Sequence, residues 1–371
     1  MKKLLTAVVF LLISTALFAQ SNDSEVIQGG ADNSAIVNQT GNSNSSAITQ
    51  NNANAVPNMA TVDQTGENDI ATVDQNSWGT AVTNDVDIDQ NLGNENEAYA
   101  TQNNRDNYIK IDQKGSFNYG QSSQFNSSNH AEVLQTGDDN YGMTRTTGGT
   151  TYQYITQEGG SNIGSIVSSG GDNTAAITQL GDWNVAGYLH GGTKGIQQTG
   201  AGNDASIEVQ GDENTTFVSQ LGTDNFAKFW TNGGNDRNNA NISQVGWKNH
   251  VEFAIQSGGD DNSMVETAVG DKNYTLVKLM NGERAINGNN LLITKVGDRN
   301  RVAGEIWGSD NDIDISQNGD DNKVTSNGWL RDGIDIHGDW NIVEINQTGN
   351  GHNSTNQVTG DGNNILVNQN N

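Results

Sequence analysis

The sequence predicts an all-β protein: a β-solenoid of about 15 two-strand coils, built from 11-residue strand-turn units with cross-β-like stacking. Three observations support this prediction: a recurring 11-residue unit, alternating side-chain types within it, and Gly, Asn, Asp and Ser between units. Only 32% of the 371 residues are hydrophobic. That is too little for ordinary globular cores, whereas a repeat that buries one face of each strand needs less.

The N-terminal residues have the pattern of an export signal. Two lysines precede an apolar stretch, Leu4–Phe18, and the small residue Ala19 follows. This order is typical of a secretory signal peptide, and the stretch is too short to span a membrane. We therefore predict a signal peptide at 1–19, a short linker and first turn at 20–32, and a secreted, extracellular repeat solenoid at 33–371.

The charge of the chain excludes several functions. Its formal net charge is −26 at pH 7, from 44 acidic and 18 basic residues. Nucleic acids and anionic membrane surfaces bind clustered Lys and Arg, so neither is an expected partner. Because Cys is absent, the chain has no disulfide, no thiolate nucleophile and no attachment site for a lipoprotein anchor.

The repeat is clearest from Asn96 onward. Asn, and once Thr, recurs every 11 residues, and Gln often follows six positions later. The unit reads N-x-A-x-I-x-Q plus a four-residue connector, as in 107–113, 173–179 and 311–317. Seven alternating residues predict a strand with one buried face, and the connector predicts a tight turn. A helix is excluded, because a period of two residues conflicts with 3.6.

Two strands and two turns make one coil of about 22 residues, so stacked coils place like residues about 4.8 Å apart. The inward Asn and Gln are predicted to form amide ladders, and the inward Ala, Ile and Val a thin apolar layer. The register slips at five places, which we assign to connectors. These are 44–58, 69–84, 225–238, 273–289 and 322–341. The stretches 187–195 and 326–335 are the least regular.

A Q-x-G-x-x-N core links strand to strand, and its Gly occupies a turn position that we predict to need positive φ. The residues predicted to form the structural ladder and turns are Gln39, Gly41, Asn44, Gln113, Gly115, Asn118, Gln135, Gly137, Asn140, Gln157, Gly159, Asn162, Gln179, Gly181, Asn184, Gln220, Gly222, Asn225, Gln244, Gly246, Asn249, Gln317, Gly319 and Asn322. The same core begins at Gln28 and Gln198.

This core, present ten times, resembles the curlin-associated repeat of bacterial curli fibre subunits, over nearly the whole chain after the signal segment. The resemblance implies a secreted subunit that forms functional amyloid on the cell surface, with an outer-membrane exporter, a nucleator subunit and no cofactor. The segment 20–27 is shorter than the family's exporter-addressing segment. Gln is replaced at several units, as by Val209, Ile255, Ala268, Leu279 and Lys295.

Open strand edges support polymerisation independently of the resemblance. Solenoids that stay monomeric need caps that block their edges, and no unit here resembles a cap. The last recognisable strand reaches Gln369. We therefore predict self-association by head-to-tail, templated strand addition, with no catalytic residues and no metal site.

Other classes remain as alternatives. A non-polymerising β-solenoid adhesin would be favoured by caps or an anchor domain. A polysaccharide-acting parallel β-helix enzyme would have less regular repeats, and the chain has no H-E-x-x-H, G-x-S-x-G or P-loop motif. An ice-binding protein needs a regular Thr-rich outer row, whereas outward positions such as Lys110, Glu132 and Asp312 are mixed.

The connectors carry recurring aspartates and three tryptophans. We predict that the connector aspartates are solvated and limit premature assembly, with weak calcium binding as the alternative. They are Asp138, Asp139, Asp182, Asp212, Asp260, Asp261, Asp271, Asp298, Asp320, Asp321, Asp339 and Asp361. Trp183, Trp247 and Trp340 are expected to be exposed, either isolated or stacked on sugars or between filaments. The five His residues lack metal-ligand spacing.

Overall fold

The fold is a parallel β-solenoid. The computed structural model describes residues 21–52, 57–77, 83–169, 172–189, 193–209, 213–232, 236–256, 259–280, 286–325 and 333–371. These residues form 32 strands and no helix, in one sheet of 17 strands, sheet A, and one of 15, sheet B. The predicted all-β solenoid is thereby confirmed, with about 14 turns. None of the described residues forms a helix able to cross a membrane.

The chain alternates between the two sheets. Sheet A contains β1 (Asp23–Gly29), β3 (Ser45–Asn52), β5 (Ile70–Ser77), β7 (Glu97–Asn103), β9 (Tyr119–Phe125), β11 (Tyr141–Thr146), β13 (Ile163–Ser168), β15 (Val185–Leu189), β17 (Asp204–Glu208), β19 (Phe226–Asn232), β21 (His250–Gln256), β23 (Tyr274–Leu279), β25 (Arg301–Trp307), β27 (Lys323–Val324), β28 (Ile334–His337), β30 (Asn353–Ser354) and β31 (Asn356–Thr359).

Sheet B contains β2 (Ser34–Asn42), β4 (Asn58–Glu67), β6 (Asn84–Asn94), β8 (Tyr108–Lys114), β10 (His130–Thr136), β12 (Tyr152–Glu158), β14 (Thr174–Leu180), β16 (Thr193–Ala201), β18 (Thr215–Thr223), β20 (Asn239–Trp247), β22 (Ser263–Val269), β24 (Asn290–Val296), β26 (Asp312–Asn318), β29 (Ile342–Thr348) and β32 (Asn364–Asn370). In sheet A, β27 and β28 pair side by side with β25, and β30 and β31 continue them.

The core lies between the sheets and consists mainly of Ala, Val, Ile, Asn and Gln side chains. In β8, Ile109, Ile111 and Gln113 point inward, while the intervening residues lie at the surface. The buried apolar residues form two clusters, one from Ile48 to Val133 and one from Ile155 to Val358. This alternation of inward and outward residues is what the 11-residue unit predicts.

Two inward glycines of sheet A leave space for branched side chains of sheet B. A Cβ at Gly142 would lie 2.6 Å from Cγ1 of Val133 in sheet B, and one at Gly120 would lie 2.7 Å from Cγ2 of Ile111. Both distances are shorter than any van der Waals contact. Branched side chains of sheet B therefore fill the interior in these coils.

The irregular segments do not disturb the register of the strands. Each of the five predicted slips includes residues outside the described ranges, and the flanking strands still pair, as in Asn58 with Asn84. Residues 187–189 end β15, residues 193–195 begin β16, and 334–335 begin β28. One further insertion is Leu92, which bulges from β6 between the partners of Thr65 and Gly66.

The first strand begins earlier than the predicted solenoid. Strand β1 lies inside the segment 20–32 that was predicted as a linker. It pairs with β3 through Ser24–Ser46, Val26–Ile48 and Gln28–Gln50. Ser24, Val26 and Gln28 alternate like the later units, so this segment can extend the stack.

We expect Gly142→Val to lower the free energy of unfolding by about 1–3 kcal/mol, because the added side chain overpacks the interior. Gly187 is the matched control, since a Cβ there meets no atom within 4 Å. Gly187→Val should leave stability within about 0.5 kcal/mol of the parent. Urea unfolding followed by circular dichroism measures both, and equal midpoints would contradict the packing argument.

Candidate functional site

The turn from sheet B to sheet A is built by the Q-x-G-x-x-N core. In one copy Gly137 has φ 109° and Asp139 has φ 59°, so the chain passes twice through the left-handed region. Gly is required at the first position, since a Cβ on Gly137 would lie 2.1 Å from the carbonyl oxygen of Gly159 in the next coil. The other predicted turn glycines also have positive φ: Gly41, Gly115, Gly159, Gly181, Gly222, Gly246 and Gly319.

Glutamine side chains form a ladder inside sheet B, in two segments. Gln135 Nε2 donates to Gln157 Oε1 at 2.9 Å and to the carbonyl of Tyr119 in sheet A at 3.0 Å. Its own Oε1 accepts from Gln113 Nε2 at 2.9 Å. The ladder runs through Gln39, Gln64, Gln90, Gln113, Gln135, Gln157, Gln179, Gln198, Gln220 and Gln244, and resumes as Gln317, Gln347 and Gln369.

Sheet A has a shorter glutamine ladder. It joins Gln28, Gln50, Gln75, Gln102 and Gln124. Thr146 and Ser168 follow at the same position, and farther along the row becomes mainly apolar: Val209, Thr231, Ile255, Leu279, Ile306, Ile336 and Val358. Three of the residues that replace Gln in the sequence belong to this row: Val209, Ile255 and Leu279. Their apolar side chains need no hydrogen-bond partners.

Asparagines form a second ladder beside the glycine turns. Asn140 Oδ1 accepts from both the backbone N and Nδ2 of Asn162, at 3.1 Å each. Asn140 Nδ2 donates to the carbonyl of Gly159 at 2.8 Å, which holds the turn of the next coil. The row contains Asn44, Asp69, Asn96, Asn118, Asn140, Asn162, Asn184, Asn203, Asn225, Asn249, Asn273, Asn300, Asn322 and His352.

Some members of these rows were missed by the sequence analysis. Asp69 replaces Asn and accepts from the backbone N of Asn96 at 3.0 Å; burial raises its pKa, while those hydrogen bonds oppose the shift. His352 stands where Asn is expected, and its backbone N donates to Asn322 Oδ1. A matching Asn ladder lines the opposite turns, for example Asn311 to Asn289 and Asn341 to Asn311.

The turn aspartates bind the backbone of the preceding coil. Asp138 Oδ1 accepts from the backbone N of Ser116 at 2.7 Å, and Asp271 Oδ1 from that of Trp247 at 2.9 Å. Asp182, Asp260, Asp298, Asp320, Asp339 and Asp361 accept in the same way. These aspartates are exposed or partly exposed, in agreement with the prediction that they are solvated. The structure adds that they accept turn N–H groups, which need acceptors outside their own coil. Asp212 lies outside the described residues.

A buried ion pair interrupts the glutamine ladder of sheet B. Lys295 occupies the Gln position, and its Nζ lies 2.7 Å from Oε1 of Glu266, with both side chains fully buried. Thr275 of sheet A donates to Glu266 Oε1 at 2.9 Å and accepts from Lys295 Nζ. Burial lowers the pKa of Lys295 and raises that of Glu266. The residue before Lys295 in this row is Ala268, which makes no side-chain hydrogen bond.

The exposed tryptophans do not form a common platform. The side chains of Trp183 and Trp340 are 69% and 67% exposed, which confirms the predicted exposure, but they lie in turns on opposite edges of the solenoid. The ring of Trp247 is contacted by Lys248 and Lys272 at 4.4 and 4.7 Å. Trp78, Trp329 and His190 lie outside the described ranges. Within those ranges, no group of three potential His or carboxylate metal ligands occurs.

The outermost strands of sheet B carry matching inward residues. Among the described residues, β2 pairs with β4 alone and β32 with β29 alone. Ala35, Val37 and Gln39 of β2 correspond by position to Ile365, Val367 and Gln369 of β32. The ladder between them has a direction: every Gln Nε2 donates toward the C-terminal end.

These features define a class, the parallel β-solenoids with an interior of stacked amides. Residues 170–208 and 193–222 match the family model of the curlin associated repeat. Residues 170–222 therefore carry the curlin associated repeat, and this segment includes the predicted core Gln179–Asn184. No curated protein matches the chain.

We expect Gln135→Ala to lower the free energy of unfolding by at least about 2 kcal/mol, because it leaves buried amide groups of two neighbouring glutamines unpaired. Gln121→Ala is the matched control, since Gln121 points outward from β9. Gln121→Ala should change the free energy of unfolding by no more than about 0.5 kcal/mol. Urea unfolding midpoints test the pair, and equal losses would show that the ladder does not stabilise the coil.

We expect Lys295→Gln alone to destabilise the chain by about 3–5 kcal/mol, because it leaves the Glu266 carboxylate buried without its cation. The double variant Glu266→Ile, Lys295→Gln restores the residue types of the neighbouring coils, Ile242 and Gln317. It should be at least as stable as the parent. Thermal unfolding of the three proteins checks this, and a double variant as unstable as the single one would refute it.

Proposed function

We propose that the chain is a secreted structural subunit that polymerises head to tail into curli-like amyloid fibres on the cell surface, with roles in biofilm matrix and adhesion. The observation that carries the proposal is the match between the two outer edges of sheet B, described above. A templated strand addition at these edges needs no catalytic group and no cofactor.

The direction of the glutamine ladder makes the two edges complementary. Gln39 Nε2 donates inward to Gln64, which leaves Gln39 Oε1 facing the outer edge. At the other end Gln369 Oε1 accepts from Gln347. Gln369 Nε2 donates one hydrogen to the carbonyl of Asn353 at 3.0 Å, and its second hydrogen is the donor that we assign to the next copy. A donor of one copy therefore meets an acceptor of the next only when the copies join head to tail.

The two sheets contribute unequally to this head-to-tail contact, which we call the joint. In sheet B an apolar pair meets an apolar pair, since Ala35 and Val37 face Ile365 and Val367 of the next copy. In sheet A, Asn356 would meet Val26 and Val358 would meet Gln28. The matched strands β2 and β32 would therefore set the register of addition, because a slip would bury unpaired amides.

Membership of the curlin repeat supports the remaining parts of the proposal. We propose that residues 1–19 direct export, that an outer-membrane exporter releases the chain unfolded, and that a nucleator subunit starts the fibre. The net charge of −26 keeps unassembled chains apart, since like charges repel. Self-association would then require the ordered edge of an existing fibre.

The test compares fibre elongation of two double variants. Gln39→Ala with Gln369→Ala removes ladder amides at the joint, whereas Gln121→Ala with Gln197→Ala removes two outward amides. We expect the first to elongate from parental seeds about tenfold more slowly and the second at the parental rate, since an unmade buried hydrogen bond costs about 1–3 kcal/mol.

The measurement uses purified residues 20–371, thioflavin-T fluorescence after seeding, electron microscopy and fibre diffraction. Filaments with a reflection near 4.8 Å support the proposal. Equal elongation rates of the two variants would refute the assignment of the joint. A parent that stays a soluble, β-rich monomer would refute polymerisation and favour a solenoid adhesin.

A further inference from the structure

One outer face of sheet B has no charged side chain. It is formed by the outward residues of β14, β16, β18, β20, β22 and β24, and we call it the uncharged face. These six strands contain only three charged residues, Lys194, Glu266 and Lys295. All three point inward and are at most 5% exposed. In a chain with 62 charged residues among 371, six consecutive uncharged layers are a distinct feature.

The surroundings of this face are charged. The same coils present charged side chains outward from sheet A: Asp204, Glu208, Lys228, Glu252, Lys278, Arg301 and Glu305. On sheet B itself the face is bounded by Glu158 of β12 and by Asp312 and Asp314 of β26. The uncharged face is therefore a property of this one surface and not of the region as a whole.

The face consists of rows of short side chains in register. A central row contains Thr178, Gln197, Ser219, Ser243, Thr267 and Thr294. Beside it lies a row of Leu180, Thr199, Leu221, Val245, Val269 and Val296. Leu221 and Val296 are 50% and 45% exposed. Rows of short hydroxyl and branched side chains suit sheet-on-sheet packing about 10 Å apart.

We propose that the uncharged face is the lateral docking surface for a second copy of this chain, so that neighbouring solenoids pack sheet B against sheet B. Electrostatic repulsion between copies favours this face. Two copies with a net charge of −26 each repel one another, and this face brings no like charges together across the contact. The exposed Leu and Val side chains supply the apolar area.

A neutral polysaccharide fits the face less well. Sugar rings stack on aromatic side chains, and the only outward aromatic residues of these strands are Phe217 and Trp247. Phe217 is a single ring among small side chains, and Trp247 lies at the edge with lysines over its ring. No row of aromatic rings is available for a glycan chain.

The area of the face predicts how strongly two copies associate through it. Six strands of seven residues cover about 24 Å by 23 Å, or about 550 Å². Stable complexes bury about 800 Å² per partner, so two single solenoids should associate weakly. A fibre presents the face once in every subunit, and the contacts then add along the two filaments. This part rests on the proposed polymerisation.

The experiment introduces charge on the face without touching the joint. Ser219→Glu with Thr267→Glu places two carboxylates in the central row. The matched control, Ser165→Glu with Ser206→Glu, places two on the outer surface of sheet A. We expect all proteins to elongate from seeds at equal rates. Electron microscopy should show paired filaments for the parent and the control, and single filaments for the face variant.

Paired filaments of the face variant, or single filaments of the parent, would overturn the inference. Parental filaments that stay single but bind cellulose, with binding lost in the face variant, would replace it by a glycan site. If the parent does not polymerise, sedimentation equilibrium of the soluble solenoid tests whether two copies dock through this face. Self-association abolished only in the face variant then supports docking without fibres, whereas a monomer at all concentrations overturns both proposals.

Discussion

The structure depends on one constraint: amide side chains buried inside the solenoid must find hydrogen-bond partners, and similar coils stacked in register supply most of them. Gln135 shows the arrangement, since it bonds the glutamines above and below and a carbonyl of the opposite sheet. The turns follow from the same requirement. Coils stack closely enough that the carbonyl of Gly159 leaves no space for a Cβ on Gly137. A polar chain can therefore be ordered without a large apolar core, because its interior polar groups satisfy one another.

The ladders accommodate a substitution where the new side chain needs no hydrogen-bond partner or finds at least one. Asp69 Oδ2, Glu266 Oε2 and Gln317 Oε1 are nevertheless buried without a hydrogen bond. In sheet A the row after Gln124 passes through Thr and Ser and then becomes mainly apolar, which removes the need for partners. In sheet B the departure at Lys295 is matched by Glu266 one coil earlier and by Thr275 across the interior. Asp69 keeps the acceptor role of the Asn that it replaces. A side chain can therefore stand at a ladder position if it needs no hydrogen bond or makes at least one of those available there, even when it differs from the Gln or Asn of the repeat.

The distribution of charge separates two directions of association. Turn carboxylates such as Asp138 and Asp271 accept backbone N–H groups of the preceding coil, so part of the negative charge also holds the coils together. Along the axis, the directional ladder favours addition of another copy in one orientation. Across the axis, the net charge of −26 opposes contact between copies, and the uncharged face is where we propose that they pair. The proposed growth along the axis and the proposed pairing between filaments would therefore respond to different substitutions.

The sequence by itself determined the fold class, the division into strands and turns, the inward residues and the need for glycine at the turns. These are local properties: alternation decides which side chains point inward, and connector composition decides where the chain turns. Only the tertiary structure decided which sheet each unit joins, that β1 is already a strand, which N–H groups the turn aspartates accept, that Glu266 meets Lys295, and that six strands share an uncharged face. Each of these depends on the register between coils. Because the connectors have unequal lengths, ladder residues that bond between adjacent coils lie 19 to 30 residues apart in the sequence.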